Sequence, residues 1–229
     1  MVIAVGKVKE VAQQLREILK LKGEKLLNYL KELKDVCVLL FQNKKFIDVI
    51  LFVTKNRVFK GVLTIHEEAI IMFYTTSAYE TINKALRGLI YLKREYISFE
   101  RLLNKALGKL PNSIYNGSEH ILYHSVEMSE ELMQKLFLGK TEYIEKAFFS
   151  TSYDYTKFLE NWFQYEPSHN VIFKIQGKNG KLVETISDIE NEAEVLFKSK
   201  TNFEIVRIFD DTHPFDNLRE ITYIILKEK

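Results

Sequence analysis

Residues 170–186 read NVIFKIQGKNGKLVETI, and this stretch decides how we interpret the fold. Two short runs rich in β-branched and aromatic residues, Asn170–Ile175 and Leu182–Ile186, flank the sequence Gly177-Lys178-Asn179-Gly180. Such side chains favour strands, and closely spaced glycines mark turns. We therefore predict two strands that are joined by a hairpin turn at Gly177–Gly180.

Similar short runs recur through the whole region that follows Pro111. They predict further strands at Ile121–Tyr123, Ala147–Phe149, Ala193–Phe197, Phe203–Ile208 and Ile221–Leu226. Between these strands, two longer segments with helical periodicity predict helices at Glu130–Leu138 and Tyr155–Phe163.

The part of the chain before Pro111 carries helical signals. From Lys7 to Leu33, apolar residues recur at intervals of three and four, which is typical of an amphipathic helix. Thr64 followed by Glu67 has the spacing of a capping box. The remaining signals are a cap at Thr76 or Ser77, a helix at Ser98–Leu107, and an ambiguous apolar segment, Val36–Phe59, for which we favour helix over strand.

Helices followed by strands predict an α+β fold, with a helical N-terminal half followed by an antiparallel or mixed sheet. We predict a helical N-terminal extension at residues 1–61 and a main domain at residues 62–229. The two segments are expected to form one compact unit, and we expect a monomer.

The composition bounds the function. Thirty-three basic and 31 acidic residues give a net charge of +2 and are interleaved, which argues against a nucleic-acid partner. No apolar run approaches the ~18–20 residues that span a bilayer, and the N-terminus lacks the layout of a signal peptide. We therefore expect a soluble, cytoplasmic protein.

Cysteine and histidine usage predicts neither a disulfide nor a metal site. Cys37 is the single cysteine, so it has no intramolecular partner. Four histidines show no metal-ligand spacing with one another or with Cys37: His66, His120, His169 and His213.

Two carboxylates stand two residues apart at the start of the predicted strand Ala193–Phe197. Alternate residues of a strand share a face, so Glu192 and Glu194 would project together. A fixed carboxylate can stabilise an oxocarbenium-like sugar cation, while a second can take a proton from the attacking nucleophile. The same spacing also occurs by chance on solvent-exposed strands. The spacing alone therefore leaves open that Glu192 and Glu194 are exposed residues without a catalytic role.

Two other polar groups could complete such a site. Ser150, in the sequence Phe148-Phe149-Ser150-Thr151-Ser152, could hold a neighbouring carboxylate in one rotamer, although such hydroxyl runs more often form turns. Asn83 and Arg87 are four residues apart on a predicted helix and could bind a diphosphate, unless that helix is simply a solvated amphipathic one.

Taken in order, these motifs resemble the bacterial exoenzyme branch of the mono-ADP-ribosyltransferases. The resemblance covers about Thr64 to Ile208. Its motifs are Tyr-Thr-x-Ser-x-Tyr-x-x-Ile-Asn-x-x-Leu-Arg-Gly (74–88), Leu-Tyr-x-x-Val (122–126), Gly139 before Phe-x-Ser-Thr-Ser (148–152), and Glu-x-Glu-Val-Leu-Phe (192–197).

The resemblance implies that residues 62–229 form a catalytic domain with a mixed, mainly antiparallel two-sheet β core. It implies that this domain cleaves NAD, releases nicotinamide and moves ADP-ribose to a protein side chain. It implies that Glu194 engages the nicotinamide ribose, Ser150 orients Glu194, and Glu192 positions or activates the acceptor. A Glu at position 192 implies an arginine acceptor. An NAD glycohydrolase and a catalytically inactive interaction module with this fold remain alternatives. The family includes toxins that are exported or injected without a signal peptide, so the resemblance leaves export or injection into a host cell open beside a cytoplasmic location.

The resemblance also implies that the protein binds NAD as a substrate and that the reaction uses no metal ion. Asn83 and Arg87 would bind the phosphates, Thr151 and Ser152 would support the nicotinamide pocket, and Phe158 or Trp162 would form its aromatic wall.

The sequence departs from the family pattern on the strand near residue 123. His124 and Ser125 stand where the branch usually carries Arg-Gly, which replaces a permanent charge with a group that is partly protonated near neutral pH. In related branches a His on this strand binds the adenosine ribose, which is the role that the resemblance implies for His124, and Ser125 beside it is likewise predicted to contact NAD. A degenerate site and a structural role for His124 are the alternatives. Residues 153–168 contain no Arg, so Lys157 or Arg87 alone would take the place of a second phosphate ligand.

Overall fold

The structure is a computed structural model that describes residues 45–165, 168–187 and 193–229. The chain divides into two compact units after Lys109. The helices predicted between Lys7 and Leu33 lie outside the described residues, and so does Glu192. The predicted domain boundary at residue 61 stays a prediction. Within the described ranges, no helix combines the length and the apolar character that crossing a membrane requires.

The described part of the first unit is helical. The capping box predicted at its second helix is present: the Glu67 N–H donates to Thr64 Oγ1, and the Thr64 N–H donates to Glu67 Oε2 at 2.9 Å. Within the segment Val36–Phe59, for which we favour helix, the structure has a helix at Lys45–Lys55. The helices are α1 Lys45–Lys55, α2 Ile65–Phe73, a π-helical turn Tyr74–Ala78, α3 Tyr79–Leu86 and α4 Arg94–Leu107.

Thr76 separates α2 from α3. Its backbone is extended, with φ −77° and ψ −178°, and this interrupts the helical path inside the π-helical turn. The Thr76 hydroxyl donates to Phe73 O at 2.7 Å and accepts from the Ala78 N–H at 3.3 Å. A threonine therefore satisfies backbone groups at the break, which is the capping role that the sequence predicts at Thr76 or Ser77.

The second unit is built around a mixed sheet of eight strands in the order β2-β7-β8-β4-β1-β3-β6-β5. β4 and β8 run parallel, and the other neighbouring strands run antiparallel. The elements are β1 Leu122–Val126, α5 Glu130–Leu136, β2 Glu142–Glu145, β3 Phe149–Ser152, α6 Tyr155–Tyr165, β4 Val171–Gln176, β5 Lys181–Leu182, a 3-10 helix Glu184–Ile186, β6 Glu194–Phe197, β7 Thr201–His213 and β8 Asp216–Glu228.

The α+β prediction is confirmed, but the two-sheet detail differs. One residue pair, Tyr123 with Ser152, joins β1 to β3 and makes the eight strands one hydrogen-bonded sheet. The strand β2 is absent from the predicted set, and Glu184–Ile186 forms a 3-10 helix where the sequence predicts a strand.

The predicted hairpin at Gly177–Gly180 is wrong. β4 and β5 are not neighbours, because β1, β3 and β6 lie between them. The turn is held by distant parts of the unit instead: the Asn179 N–H donates to Glu228 Oε2 at 2.8 Å, and the Gly117 N–H donates to Gly177 O at 2.8 Å. The long hairpin of this unit is β7–β8, whose strands pair from Phe203 to His213.

Two apolar clusters cover the sheet. Alternation along each strand sends successive side chains to opposite faces, so β1, β3, β4 and β6 contribute to both faces. One cluster contains Leu122, Phe149, Phe173, Val195 and Phe197 among its buried members. The other contains Phe158 and Trp162 of α6, packed with Ile172, Ile221 and Tyr223.

Gly180 fits against β6 so closely that a methyl group has no space. A Cβ at this position would lie 2.6 Å from Val195 Cγ1 and 3.1 Å from Phe197 Cζ, both buried. We expect Gly180→Ala to lower the free energy of unfolding by about 1–3 kcal/mol through overpacking. Urea denaturation measures this change. Gly108→Ala, at an exposed right-handed helix end, is the matched control, and equal stability of the two variants would contradict the expectation.

Candidate active site

Ser150 and Glu194 meet on one face of the sheet. β3 pairs with β6 so that Ser152 lies opposite Glu194 and Ser150 lies opposite Leu196. Side chains of directly opposite residues share a face, and Glu194 is the diagonal neighbour of Ser150, within reach of a long side chain. The Ser150 hydroxyl donates to Glu194 Oε1 at 2.7 Å. The structure thus brings together two residues that lie 44 positions apart in sequence.

The Glu194 carboxyl is buried, with 3% of the residue exposed. Burial raises its pKa, because a carboxylate loses hydration in an apolar environment, while the hydroxyls of Ser150 and Ser187 oppose the shift by hydrogen bonding to the charged form. Oε2 is buried and accepts no hydrogen bond from the described residues. Such a carboxylate interacts strongly with a cation, since the surrounding protein screens charge weakly.

The other two residues of the Ser-Thr-Ser motif make backbone contacts. The Thr151 hydroxyl donates to Val195 O at 2.7 Å and so ties β3 to β6 beside Glu194. The Ser152 hydroxyl donates to Asp154 O at 3.1 Å and accepts from the Asp154 N–H at 3.3 Å, which fixes the turn after β3. These contacts give both residues a role in shaping the site, and their contact with nicotinamide stays a prediction.

The structure does not place His124 on the face of Ser150 and Glu194. Because Tyr123 pairs with Ser152, Tyr123 shares that face and His124 points to the other one. The His124 ring packs against Phe149 and Phe173, with centroid distances of 4.8 and 6.0 Å.

Ser125 returns to the face of Tyr123, and its hydroxyl lies 3.0 Å from His169 Nδ1. The contacts of His124 and Ser125 with NAD therefore stay predictions.

The aromatic residues predicted to contact nicotinamide are core residues of α6. Phe158 is 6% exposed and Trp162 is 1% exposed. Phe158 stacks against Tyr123 with a centroid distance of 5.6 Å, and Trp162 lies 4.8 Å from the ring of His213. Tyr155, at the start of this helix, is 40% exposed and its ring lies 4.7 Å from that of Tyr123. Phe158 and Trp162 thus have a packing role in the core, and their contact with nicotinamide stays a prediction.

Asn83 and Arg87 belong to the first unit. Asn83 is buried near the end of α3, where its side-chain amide donates to the Tyr74 hydroxyl at 2.9 Å. Arg87 follows α3 directly, and its N–H donates to Asn83 O at 2.9 Å. The two residues therefore stand at one helix end, as their spacing predicts, while their binding of phosphates stays a prediction.

Sequence reasoning missed the group formed by Tyr153, Lys157 and Glu184. The Tyr153 hydroxyl donates to Glu184 Oε2 at 2.7 Å, and Lys157 Nζ lies 3.4 Å from Glu184 Oε1. Lys157, considered above as a phosphate ligand, therefore pairs with a carboxylate. No local spacing could have revealed this group, because Tyr153 and Glu184 are 31 positions apart. Within the described ranges, no cluster of His, Cys, Asp and Glu could hold a metal ion.

Comparison with known proteins shows the family to which the chain belongs. The sequence family described as "ADP-ribosyltransferase exoenzyme" matches residues 24–229. The chain belongs to the ADP-ribosyltransferase exoenzyme family. Two curated relatives carry the name NAD(+)–protein-arginine ADP-ribosyltransferase Tre1. The relative from Serratia proteamaculans is 30% identical over 60% of this chain, and the one from Pseudomonas putida is 31% identical over 68% of it.

The chain spans less than a third of those two relatives, since the matches cover 28% and 27% of their lengths. Among solved structures, an N-terminally truncated type III effector XopAI from Xanthomonas axonopodis pv. citri is similar in fold. It has a TM-score of 0.66 at 16% identity, and the match covers 99% of this chain and 98% of that one. This ADP-ribosyltransferase exoenzyme family member therefore shares its fold with that effector.

Proposed function

We propose that this exoenzyme family member transfers one ADP-ribose from NAD to an arginine side chain of a protein, with release of nicotinamide. The observation that carries the proposal is the hydrogen bond from Ser150 to the buried carboxyl of Glu194. The names of the two Tre1 relatives, which specify NAD and protein arginine, support the choice of donor and acceptor.

Glu194 would act on the sugar. Heterolysis of the bond between nicotinamide and the ribose sends the bonding electron pair to the nicotinamide nitrogen, which leaves neutral, and the ribose becomes an oxocarbenium-like cation. A carboxylate fixed beside that cation in a weakly screened environment stabilises it more than it stabilises the uncharged ribose ring of bound NAD. The Ser150 hydroxyl holds one carboxylate oxygen, which leaves Oε2 to face the ribose.

Glu192 would act on the acceptor. A guanidinium nitrogen forms a bond to the sugar carbon and loses one proton, and a carboxylate is a suitable base for that proton. Glu192 lies outside the described residues, so this role rests on its position two residues before Glu194. The products are nicotinamide, ADP-ribosylated arginine and a proton.

Agmatine, a small guanidinium compound, tests the acceptor chemistry directly. We expect the protein to convert labelled NAD and agmatine into nicotinamide and ADP-ribosyl-agmatine, and to label arginine in cell-lysate proteins, as read by mass spectrometry. An amine of similar length without the guanidinium group, such as spermidine, is the control acceptor.

Three outcomes would contradict the proposal. Nicotinamide release without any labelled acceptor would indicate an NAD glycohydrolase. Binding of NAD without release of nicotinamide would indicate an interaction module. Label on residues other than arginine would refute the arginine acceptor while leaving the transferase.

A further inference from the structure

Four consecutive apolar residues are exposed between α3 and α4 of the first unit. They are Leu89, Ile90, Tyr91 and Leu92, which are 67%, 42%, 82% and 41% exposed. Singly exposed apolar residues are common on soluble proteins, whereas a contiguous exposed patch marks an interaction site. We call these four residues the apolar loop.

The end of α3 fixes where the apolar loop begins. The Gly88 N–H donates to Ala85 O at 3.1 Å, and the Leu89 N–H donates to Lys84 O at 2.9 Å. Gly88 has φ +79°, so these are the two hydrogen bonds of a Schellman motif. In such motifs the residue at the position of Leu89 often packs against an apolar residue at the position of Lys84. Here that position holds a lysine, and Leu89 stays exposed.

Basic side chains adjoin the apolar loop and continue along α4. Residues 84–105 contain six basic residues and two acidic ones, and of the acidic pair Glu100 is buried. Lys93 directly follows the loop. The exposed face of α4 has residues spaced by three or four positions, namely Arg94, Ile97, Arg101 and Lys105. We call Lys93 and the three basic residues of this face the basic face.

Two of these positive charges lie where a helix disfavours them. Lys93 is the N-cap of α4 and its side chain makes no capping hydrogen bond, while Arg94 begins the helix. The N-terminal end of a helix carries a partial positive charge, so it attracts anions and repels cations. Glu95 in the first turn offsets part of this repulsion. A bound anion would offset more of it, and helix N-termini are suited to binding phosphate groups.

We propose that the apolar loop and the basic face form a docking surface for an anionic phospholipid bilayer. The aliphatic side chains of the loop enter the boundary between headgroups and acyl chains, and the Tyr91 ring lies at that boundary, where tyrosine is favoured. The basic face binds the lipid phosphates around the loop. Docking of this kind is independent of the proposed transferase activity.

A bilayer suits this surface better than a folded protein does. Interfacial insertion requires apolar side chains beside cations and no matched shape, whereas protein interfaces depend on anchors that fill pockets of the partner. Three of the four loop residues are aliphatic, and residues 91–93 lie outside any helix or strand. Backbone N–H and C=O groups without partners are costly in hydrocarbon, so the loop inserts no deeper than the headgroup boundary.

Co-sedimentation of the 229-residue chain with lipid vesicles tests the proposal. We expect binding to vesicles made of phosphatidylcholine and phosphatidylglycerol in equal parts, and at least about tenfold weaker binding to phosphatidylcholine alone. High salt should weaken binding to the mixed vesicles, because it screens the attraction between the basic face and the lipid phosphates. The measurement uses no NAD, so vesicle binding by an inactive protein would refute only the proposed function.

Leu89→Ser combined with Tyr91→Ser tests the apolar loop. We expect binding to the mixed vesicles to weaken by at least about tenfold, because the two most exposed apolar side chains of the loop no longer enter the bilayer. Thermal unfolding should be unchanged, since both side chains are exposed. Ile114→Ser is the matched control: Ile114 is 76% exposed in the second unit, and its loss should leave binding unchanged.

Lys93→Gln combined with Arg101→Gln tests the basic face. We expect about tenfold weaker binding to the mixed vesicles at low salt and little change with phosphatidylcholine alone. Lys140→Gln combined with Lys146→Gln is the matched control, because it removes the same charge from exposed positions outside the basic face. If the Leu89→Ser and Tyr91→Ser variant fails to fold, this pair of variants decides the question.

Three outcomes would overturn the proposal. The first is a wild-type chain that does not bind the mixed vesicles, including one that instead binds an acidic protein through the same residues. The second is equal binding to mixed and neutral vesicles. The third is an equal effect of a variant and its matched control, because general charge or apolar content, and not this surface, would then account for binding.

Discussion

Glu194→Gln is expected to lower kcat for both agmatine modification and NAD hydrolysis by at least about 10²–10³-fold. The carboxamide has nearly the shape of the carboxylate, so it leaves the packing intact, but it carries no charge to stabilise the sugar cation. Nicotinamide release, followed with and without agmatine, measures the effect. Both reactions should fall together, because both require the same cation.

The fold of the Glu194→Gln variant should survive. Burial raises the pKa of Glu194, so the folded state loses stability as the pH rises from the ordinary pKa of a glutamate to the raised pKa, and the loss persists above it; glutamine removes this cost. Thermal unfolding near neutral pH should therefore show no loss of stability. Glu160→Gln, at an exposed position of α6, is the matched control. Activity of the Glu194→Gln variant within about tenfold of wild type would refute the catalytic role of Glu194.

Ser150→Ala is expected to lower kcat by about 10–10²-fold with a smaller effect on KM for NAD. The Ser150 hydroxyl donates to Glu194 Oε1, and without it the carboxylate keeps only the hydrogen bond from Ser187 and is less firmly held in the orientation that faces the ribose. Ser150→Thr keeps a hydroxyl and should recover part of the rate. Ser118→Ala, at an exposed position, is the control for a loss of hydroxyl as such.

The pH dependence of Ser150→Ala gives a second readout. Activity requires ionised Glu194, so the rate rises with pH through the pKa of that carboxyl. The hydrogen bond from Ser150 lowers this pKa, against the larger effect of burial. Its removal raises the pKa further, and the acidic limb of the rate profile should move to higher pH. An unmoved acidic limb together with an unchanged kcat would contradict the orienting role of Ser150.

Local signals account for the parts of the fold that the sequence predicts. The Thr64–Glu67 capping box involves residues three apart, and Thr76 acts on Phe73 and Ala78, so neighbouring residues suffice to specify these helix boundaries. The strands β4 and β6 are likewise marked by their own composition. The order of four motifs along the chain, at residues 74–88, 122–126, 148–152 and 192–197, suggested the family, which residues 24–229 match.

Partner choice between distant segments was decided by the tertiary structure. Gly177 and Gly180 indicate a turn, but β4 pairs with β8 and β1 and not with β5. Strand pairing depends on which sheet faces the whole unit can bury. The same dependence places His124 against Phe149 and buries Trp162 in the core.

The sequence by itself therefore determined the local elements, the family and the identity of Ser150 and Glu194 as candidates. Only the tertiary structure decided which face each strand residue occupies, and only it revealed the hydrogen bond between Tyr153 and Glu184. The physical reason is range: capping and strand propensity act between near neighbours, whereas burial and side-chain pairing are set by residues far apart in the chain.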